Sequence, residues 1–230
     1  MICDELPAAS RRRPISAGSL EMDLLATGSA ISWLAGLLGA DSGEAALVAL
    51  AAGLDPRDAP LVLPYLSPGE QGALWDPLLR GTFVGLELGH GRRHLARGLV
   101  NGIVLESRRC LAVLDETGDF GRDLEVAGSS AADPSFRANL ADATRRRVGM
   151  PGDHDTDYSA RGAALLAARG IDGEWPPGSL TMAGPAAEPD ASRSVMWDAI
   201  WADYEHARQA ISGHYHARVS SPASRANRSA

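Results

Sequence analysis

The 230-residue sequence has no lysine, so all 22 of its Lys/Arg-type side chains are arginines. This excludes a lysine Schiff base and a lysine phosphate clamp, and coding bias is its simplest cause. The familiar nucleotide-binding signatures are missing too. There is no Gly-Lys-Ser/Thr phosphate loop, and Gly85, Gly89 and Gly91 do not follow the dinucleotide fingerprint. Cysteine is scarce. Cys3 and Cys110 stand far apart, one near the terminus and one within a helical pattern, which excludes a disulfide framework and a cysteine metal site. A cytoplasmic chain is expected. The formal net charge of −7 excludes a uniformly basic nucleic-acid binder. The segment from Leu24 to Gly39, preceded by Arg11, Arg12 and Arg13, imitates a signal peptide. It is diluted by Thr27, Gly28, Ser29 and Ser32 and falls short of the roughly 20 apolar residues a bilayer span needs. Neither a membrane nor a nucleic acid is expected as a partner.

What is present is ordinary for a globular protein: 45% hydrophobic and 22% charged residues. Residues 1–19 carry no hydrophobic period and read as a loose lead-in. Helical spacing begins near Ser29, a candidate cap, with Ile31, Leu34, Ala35 and Leu38 on one stripe and Gly39 after it. Glu44 to Ala52 reads as a second helix. Leu61 to Leu66 suits an edge strand or ordered loop bounded by prolines, and Thr82 to Leu86 suits a strand. Arg92 to Thr117 predicts a long amphipathic helix, with Leu95, Leu99, Ile103, Cys110, Leu111 and Leu114 on its apolar stripe and Arg97, Arg108 and Asp115 pointing elsewhere.

Leu124 to Ala127 is short and mostly apolar. Small residues follow, Gly128-Ser129-Ser130-Ala131-Ala132, and then Asp133-Pro134, a cap and a first helical residue. The helix after them is expected to end in Arg145, Arg146 and Arg147, complementing its dipole. Ser159 to Ala168 predicts another helix, 171–193 a linker, 194–212 a last amphipathic helix, and 213–230 a disordered tail. Strands alternating with helices make this an α/β domain.

Two patterns invite metal readings. Asp153, Asp155 and Asp157 occupy alternate positions of a calcium loop, but Tyr158 and Ala164 stand where glycine and glutamate belong. His90 and His94 have zinc-ligand spacing, without the glutamate or a third ligand. A solvated acidic connection is expected of the aspartates and structural roles of the histidines. The strand, small-residue turn and capped helix at 124–147 have the features of a ligand site, because a helix amino terminus offers N–H groups and small residues admit a ligand to the backbone. Asp133 would use some of those amides and repel a phosphate. A sugar or adenine edge therefore suits the turn better than a triphosphate, and a plain structural turn is the alternative.

Several segments in order resemble the carboxy-terminal domain of the FGGY carbohydrate kinases, particularly the xylulokinase-like members. They are Thr27-Gly28-Ser29-Ala30-Ile31-Ser32-Trp33-Leu34, Leu63-Pro64-Tyr65-Leu66-Ser67, Leu74-Trp75-Asp76-Pro77, Arg80-Gly81-Thr82-Phe83-Val84-Gly85-Leu86, His94-Leu95-Ala96-Arg97, Val126-Ala127-Gly128-Ser129-Ser130, Phe136-Arg137 and Leu140-Ala141-Asp142. The resemblance implies a ribonuclease H-like (actin-like ATPase) domain over 20–170, incomplete at its N-terminal end. It implies ATP and Mg2+ as cofactors, and adenosine contacts from Gly128, Ser129, Ser130, Ala131 and Asp133. Relatives use a catalytic aspartate as general base on the sugar hydroxyl, from a segment upstream of this match. The chain is therefore expected to be inactive alone, with a separate N-terminal kinase half or a homo-oligomer as partner and a sugar substrate only in the complete enzyme. A degenerate, non-catalytic interaction module is the alternative. Ser129 and Ser130 replace family glycines, Gly98 replaces a small alanine or serine, and Asn101 replaces an acidic residue, which together suggest relaxed constraint.

Overall fold

A computed structural model describes residues 27–39, 43–67, 73–74, 76–118, 121–152, 157–173 and 184–220. The lead-in, Cys3, the acidic positions Asp153 and Asp155, and residues 221–230 lie outside them.

Helix α1 (Gly28–Leu37) buries Ile31, Leu34 and Ala35 of the stripe its spacing predicts, together with Ala30, while Leu38, the residue after it, is half-buried. Ser29 lies inside the helix, and Thr27, the residue before it, makes no side-chain cap bond. Helix α2 (Gly43–Ala51) packs on α1 and buries Leu47, Val48 and Ala51. A 3-10 turn at Pro56–Asp58 then leads into β1 (Leu61–Leu63). This strand pairs antiparallel with β2 (Thr82–Val84), Leu61 opposite Val84 and Leu63 opposite Thr82.

Helix α3 (Arg92–Asp115) differs from the amphipathic expectation, because every residue from Ala96 to Ser107 is buried. Arg97, expected to point outward, is 3% exposed. The cause is that α2, β1 and α4 enclose the helix from several sides, so its polar face has no solvent to meet. Strand β1 comes so close that a Cβ on Gly98 would lie 2.6 Å from the Pro60 carbonyl oxygen, and one on Gly102 would lie 2.2 Å from that of Val62. Glycine at position 98 is thus required by packing, which corrects its reading as relaxed constraint. Asn101 donates from Nδ2 to the Pro56 carbonyl at 2.9 Å, a bond no carboxylate could donate. At the amino-terminal end of the helix, the His94 ring Nδ1 accepts from the Gly91 N–H at 3.0 Å and the His90 Nδ1 from the Glu87 N–H at 3.1 Å, the structural roles expected of both.

Strand β3 (Asp123–Glu125) precedes α4 (Pro134–Thr144). The three arginines after α4 do not extend it. Arg145 adopts a left-handed conformation with φ 57° and ends the helix, the Arg146 side chain reaches Asp115 and the Gly121 carbonyl, and Arg147 opens β4 (Arg147–Gly149). Strand β4 runs parallel to β3 and antiparallel to β5 (Ala186–Ala187), giving the order β3-β4-β5. Both β4 and β5 went unforeseen, since strands of two or three residues leave no period in the sequence. Helix α5 (Tyr158–Asp172) starts at Asp157, whose carboxylate accepts from the Ser159 and Ala160 N–H groups at 3.0 Å.

Helix α6 (Ala191–Ser220) begins inside the expected linker and runs through Gly213 into the expected disordered tail. Its inner face buries Trp197, Ile200 and Tyr204, and this docking on α4 and β1 overrides the local cost of glycine. The Tyr204 and Tyr65 hydroxyls each donate to Glu106 Oε1 at 2.7 Å, while Arg109 Nε reaches both carboxylate oxygens at 3.2 Å. Arg109 Nη2 also binds Glu205. Glu106 is fully buried, so these donors replace the water its charge would otherwise need.

Candidate nucleotide-facing turn

The turn between β3 and α4 is built by backbone conformation. Gly128 has φ 105°, a conformation glycine adopts without steric cost, and a Cβ placed there would meet nothing within 4 Å. Open space therefore lies over the turn. Ser129–Ala132 form one 3-10 turn, closed by the Ala131 N–H to the Gly128 carbonyl at 3.1 Å. The Ser129 and Ser130 N–H groups have no backbone acceptor among the described residues. Gly128 and Ser129 are exposed and Ser130 half-buried, whereas Ala131 is buried, its N–H donating to the Gly128 carbonyl and its carbonyl accepting from Arg137.

Asp133 behaves as its position predicts. Its Oδ1 accepts from the Ser135 N–H at 2.7 Å and the Phe136 N–H at 3.2 Å, and also from the Ser135 hydroxyl at 2.5 Å. The first amides of α4 are thus occupied by a carboxylate and are not presented to a phosphate. What the turn offers a ligand is an exposed glycine and two amides, a surface for an uncharged edge.

Two residues outside the predicted set hold the turn. Arg137 Nη1 donates to the Ala131 and Ala132 carbonyls, at 2.5 and 3.0 Å, and fixes the end of the turn. Glu44, at the start of α2, accepts the Ser32 hydroxyl at 3.0 Å on one oxygen and the Ser129 hydroxyl on the other. Ser129 therefore ties the turn to α1 and α2. No periodicity or spacing marks Glu44, whose partner is 85 residues away. Arg137 was visible only as part of a Phe-Arg match. Among the described residues no group of three or more His, Cys, Asp or Glu side chains could hold a metal ion, and no helix is long and apolar enough to cross a membrane.

The family model described as "FGGY family of carbohydrate kinases, C-terminal domain" matches residues 9–171. The chain belongs to this family. Among its relatives, a glycerol kinase from Halothermothrix orenii is 32% identical over 155 residues, covering 67% of this chain and 30% of the relative. The crystal structure of xylulose kinase from Rhodospirillum rubrum superposes with a TM-score of 0.68 at 31% identity, over 83% of this chain and 39% of that one. Plasmodium falciparum glycerol kinase, solved with ADP, has a TM-score of 0.62 at 18% identity, over 79% of this chain and 37% of that one, and shows the fold alone. The FGGY domain has the ribonuclease H-like fold of the actin-like ATPases. This chain spans about a third of the length of these relatives.

Proposed function

We propose that the chain forms the adenosine-facing side of an ATP-dependent kinase that phosphorylates a hydroxyl of a small polyol or pentulose. The observation that carries this reading is the open turn at Gly128, with two amides unused by the backbone, in a chain of the FGGY family. Gly128, Ser129 and Ser130 border the adenosine, Ala131 anchors the turn to the core beneath them, and Asp133 holds the shape of the turn and keeps phosphates away from α4. ATP would bring Mg2+ with its phosphates, and the metal would neutralise charge during transfer. Curated relatives are glycerol kinases while the structural relatives include xylulose kinases, and the xylulose-like substrate is the finer part of the proposal.

The base on the sugar hydroxyl and the phosphate contacts are assigned to another polypeptide or domain in the cytoplasm. Two features favour such a partner. Strand β3 ends the described sheet, and α5 has none of its described residues buried, with Leu166 63% and Ile171 84% exposed. The same exposed helix is what a non-catalytic interaction module would use, which makes that the second reading.

Calorimetric titration with ATP and magnesium separates the two. Weak, saturable binding that is lost in Gly128→Val supports the nucleotide reading, because a β-branched residue is strained at that φ. No heat at millimolar ATP overturns it and leaves the interaction module.

A further inference from the structure

A cleft of about 590 Å³ opens between the loop after α2, the middle of α3, the first turns of α4 and the start of α6. It shares no lining residue with the Gly128 to Asp133 turn. Three guanidinium groups line it, those of Arg57, Arg97 and Arg193. Two of them have counterions. Arg57 pairs with Asp55, Nε at 2.9 Å and Nη2 at 2.6 Å, and Arg193 Nε donates to Asp142 at 2.5 Å.

Among the described residues Arg97 has no carboxylate partner. Although only 3% exposed, it makes one hydrogen bond, from Nη2 to the Asn139 amide oxygen at 3.0 Å, and its buried Nε has no acceptor. Arg193 Nη2 donates to the same oxygen at 3.1 Å. Two guanidinium groups, one buried and one half-exposed, therefore converge on one neutral acceptor. Burial foremost, and the Arg193 charge after it, lower the Arg97 pKa to about 10, with Asp55 acting weakly in the other direction. Burying a charge is costly unless it is paired, and the pairing group here is an uncharged amide. The start of α6 adds nothing, since Asp190 already accepts the Arg193 N–H at 2.9 Å.

We infer that this cleft is a binding site for a phosphate group, held by Arg97 at its floor and by the more exposed Arg193 and Arg57 at its mouth. Guanidinium groups present paired N–H donors that match phosphate oxygens. The volume exceeds that of inorganic phosphate and lies in the range of small-molecule pockets, which favours a phosphate monoester of a small metabolite. The site is independent of the nucleotide reading, so either can fail without the other.

The test is titration of the intact chain with inorganic phosphate and with ribose 5-phosphate, at constant ionic strength set with chloride, read by calorimetry and thermal melting. Both anions are expected to bind and raise the melting temperature, the monoester more tightly. Equal affinity would identify free phosphate as the ligand and keep the site. Arg97→Met is expected to abolish binding. Arg57→Gln, at an exposed side chain whose loss the fold tolerates, is expected to weaken it by about tenfold, the loss typical of a hydrogen bond between charged partners. Failure of both anions to bind at millimolar concentration overturns the inference, as does wild-type phosphate affinity in Arg57→Gln. Nucleotide binding by Arg97→Met, measured in parallel, is expected to match the wild type.

Discussion

Helix α3 carries two buried arginines whose surroundings are opposite. Arg109 touches two carboxylates, Glu106 and Glu205, and lies 4.8 Å from the Trp201 ring centroid. Burial would lower its pKa, but Glu205 and Glu106 outweigh that and hold it above the usual arginine value. Among the described residues Arg97 meets only an amide oxygen, and burial prevails. The same residue type on the same helix is thus stabilised at one end by its neighbours and tolerated at the other. A buried charge reveals its role through its partners. Arg109 belongs to a closed network that joins α3 to α6, while Arg97 keeps unused donors beside a cleft.

The comparison breaks most sharply at Glu106. Replacing it with alanine strands two tyrosine hydroxyls in the core and leaves Arg109 with Glu205 alone, and the loss expected from removing one partner of a buried ion pair is about 3–5 kcal/mol. Urea unfolding would measure it, and a change under about 1 kcal/mol would show that the network carries little stability.

Methionine substitutions at the two arginines form the next contrast. Arg109→Met leaves Glu106 and Glu205 without their shared cation and is expected to destabilise by about 3 kcal/mol. Arg97→Met removes a charge without a counterion and is expected to be neutral or stabilising by about 1 kcal/mol. Equal losses in the two variants would mean that the surroundings of Arg97 supply a counterion after all.

The pH dependence sharpens the same point. The folded pKa of Arg97 lies below its unfolded value, so the unfolded chain holds the proton more tightly between the two. The cost of the buried charge is therefore complete below a pH of about 10 and shrinks as pH rises above it. Wild-type stability relative to Arg97→Met should increase over that alkaline range, and a flat difference would contradict it.

A smaller effect is expected at Asp55, where the side-chain hydrogen bond from Arg57, foremost, lowers the pKa to about 2. Its contribution is complete above the unfolded carboxylate pKa and is lost as pH falls through about 2. Asp55→Asn should flatten this acid limb slightly, because the pair is largely exposed. The smallest effect concerns the turn. Ser130→Gly should raise ATP affinity a few-fold at most, whereas Ser129→Gly should not, since the Ser129 hydroxyl is what ties the turn to Glu44. Equal gains in both would show that this tie has no part in shaping the turn.

Local signals in the sequence carried well into the structure. Asp133-Pro134 caps and opens α4, Asp157 caps α5, and the stripe of α1 is buried, because capping and helical periodicity act within a few residues. The family match survived for the same reason, being made of short ordered segments. Less was legible where distant chain meets: β4 is a strand because β3 and β5 flank it, and Gly98 is required because β1 passes over it. At the turn, Gly128 and Asp133 were readable, but Glu44 was not, since only the fold brings α2 to Ser129.

The family, the capped starts of α4 and α5 and the turn before α4 are legible along the chain, because each depends on near neighbours in it. That Arg109 meets a second carboxylate while Arg97 meets an amide follows from long-range packing. Their partners, Glu205 and Asn139, lie 96 and 42 residues away, and whether a buried charge finds a carboxylate or an amide depends on which distant helix packs against it.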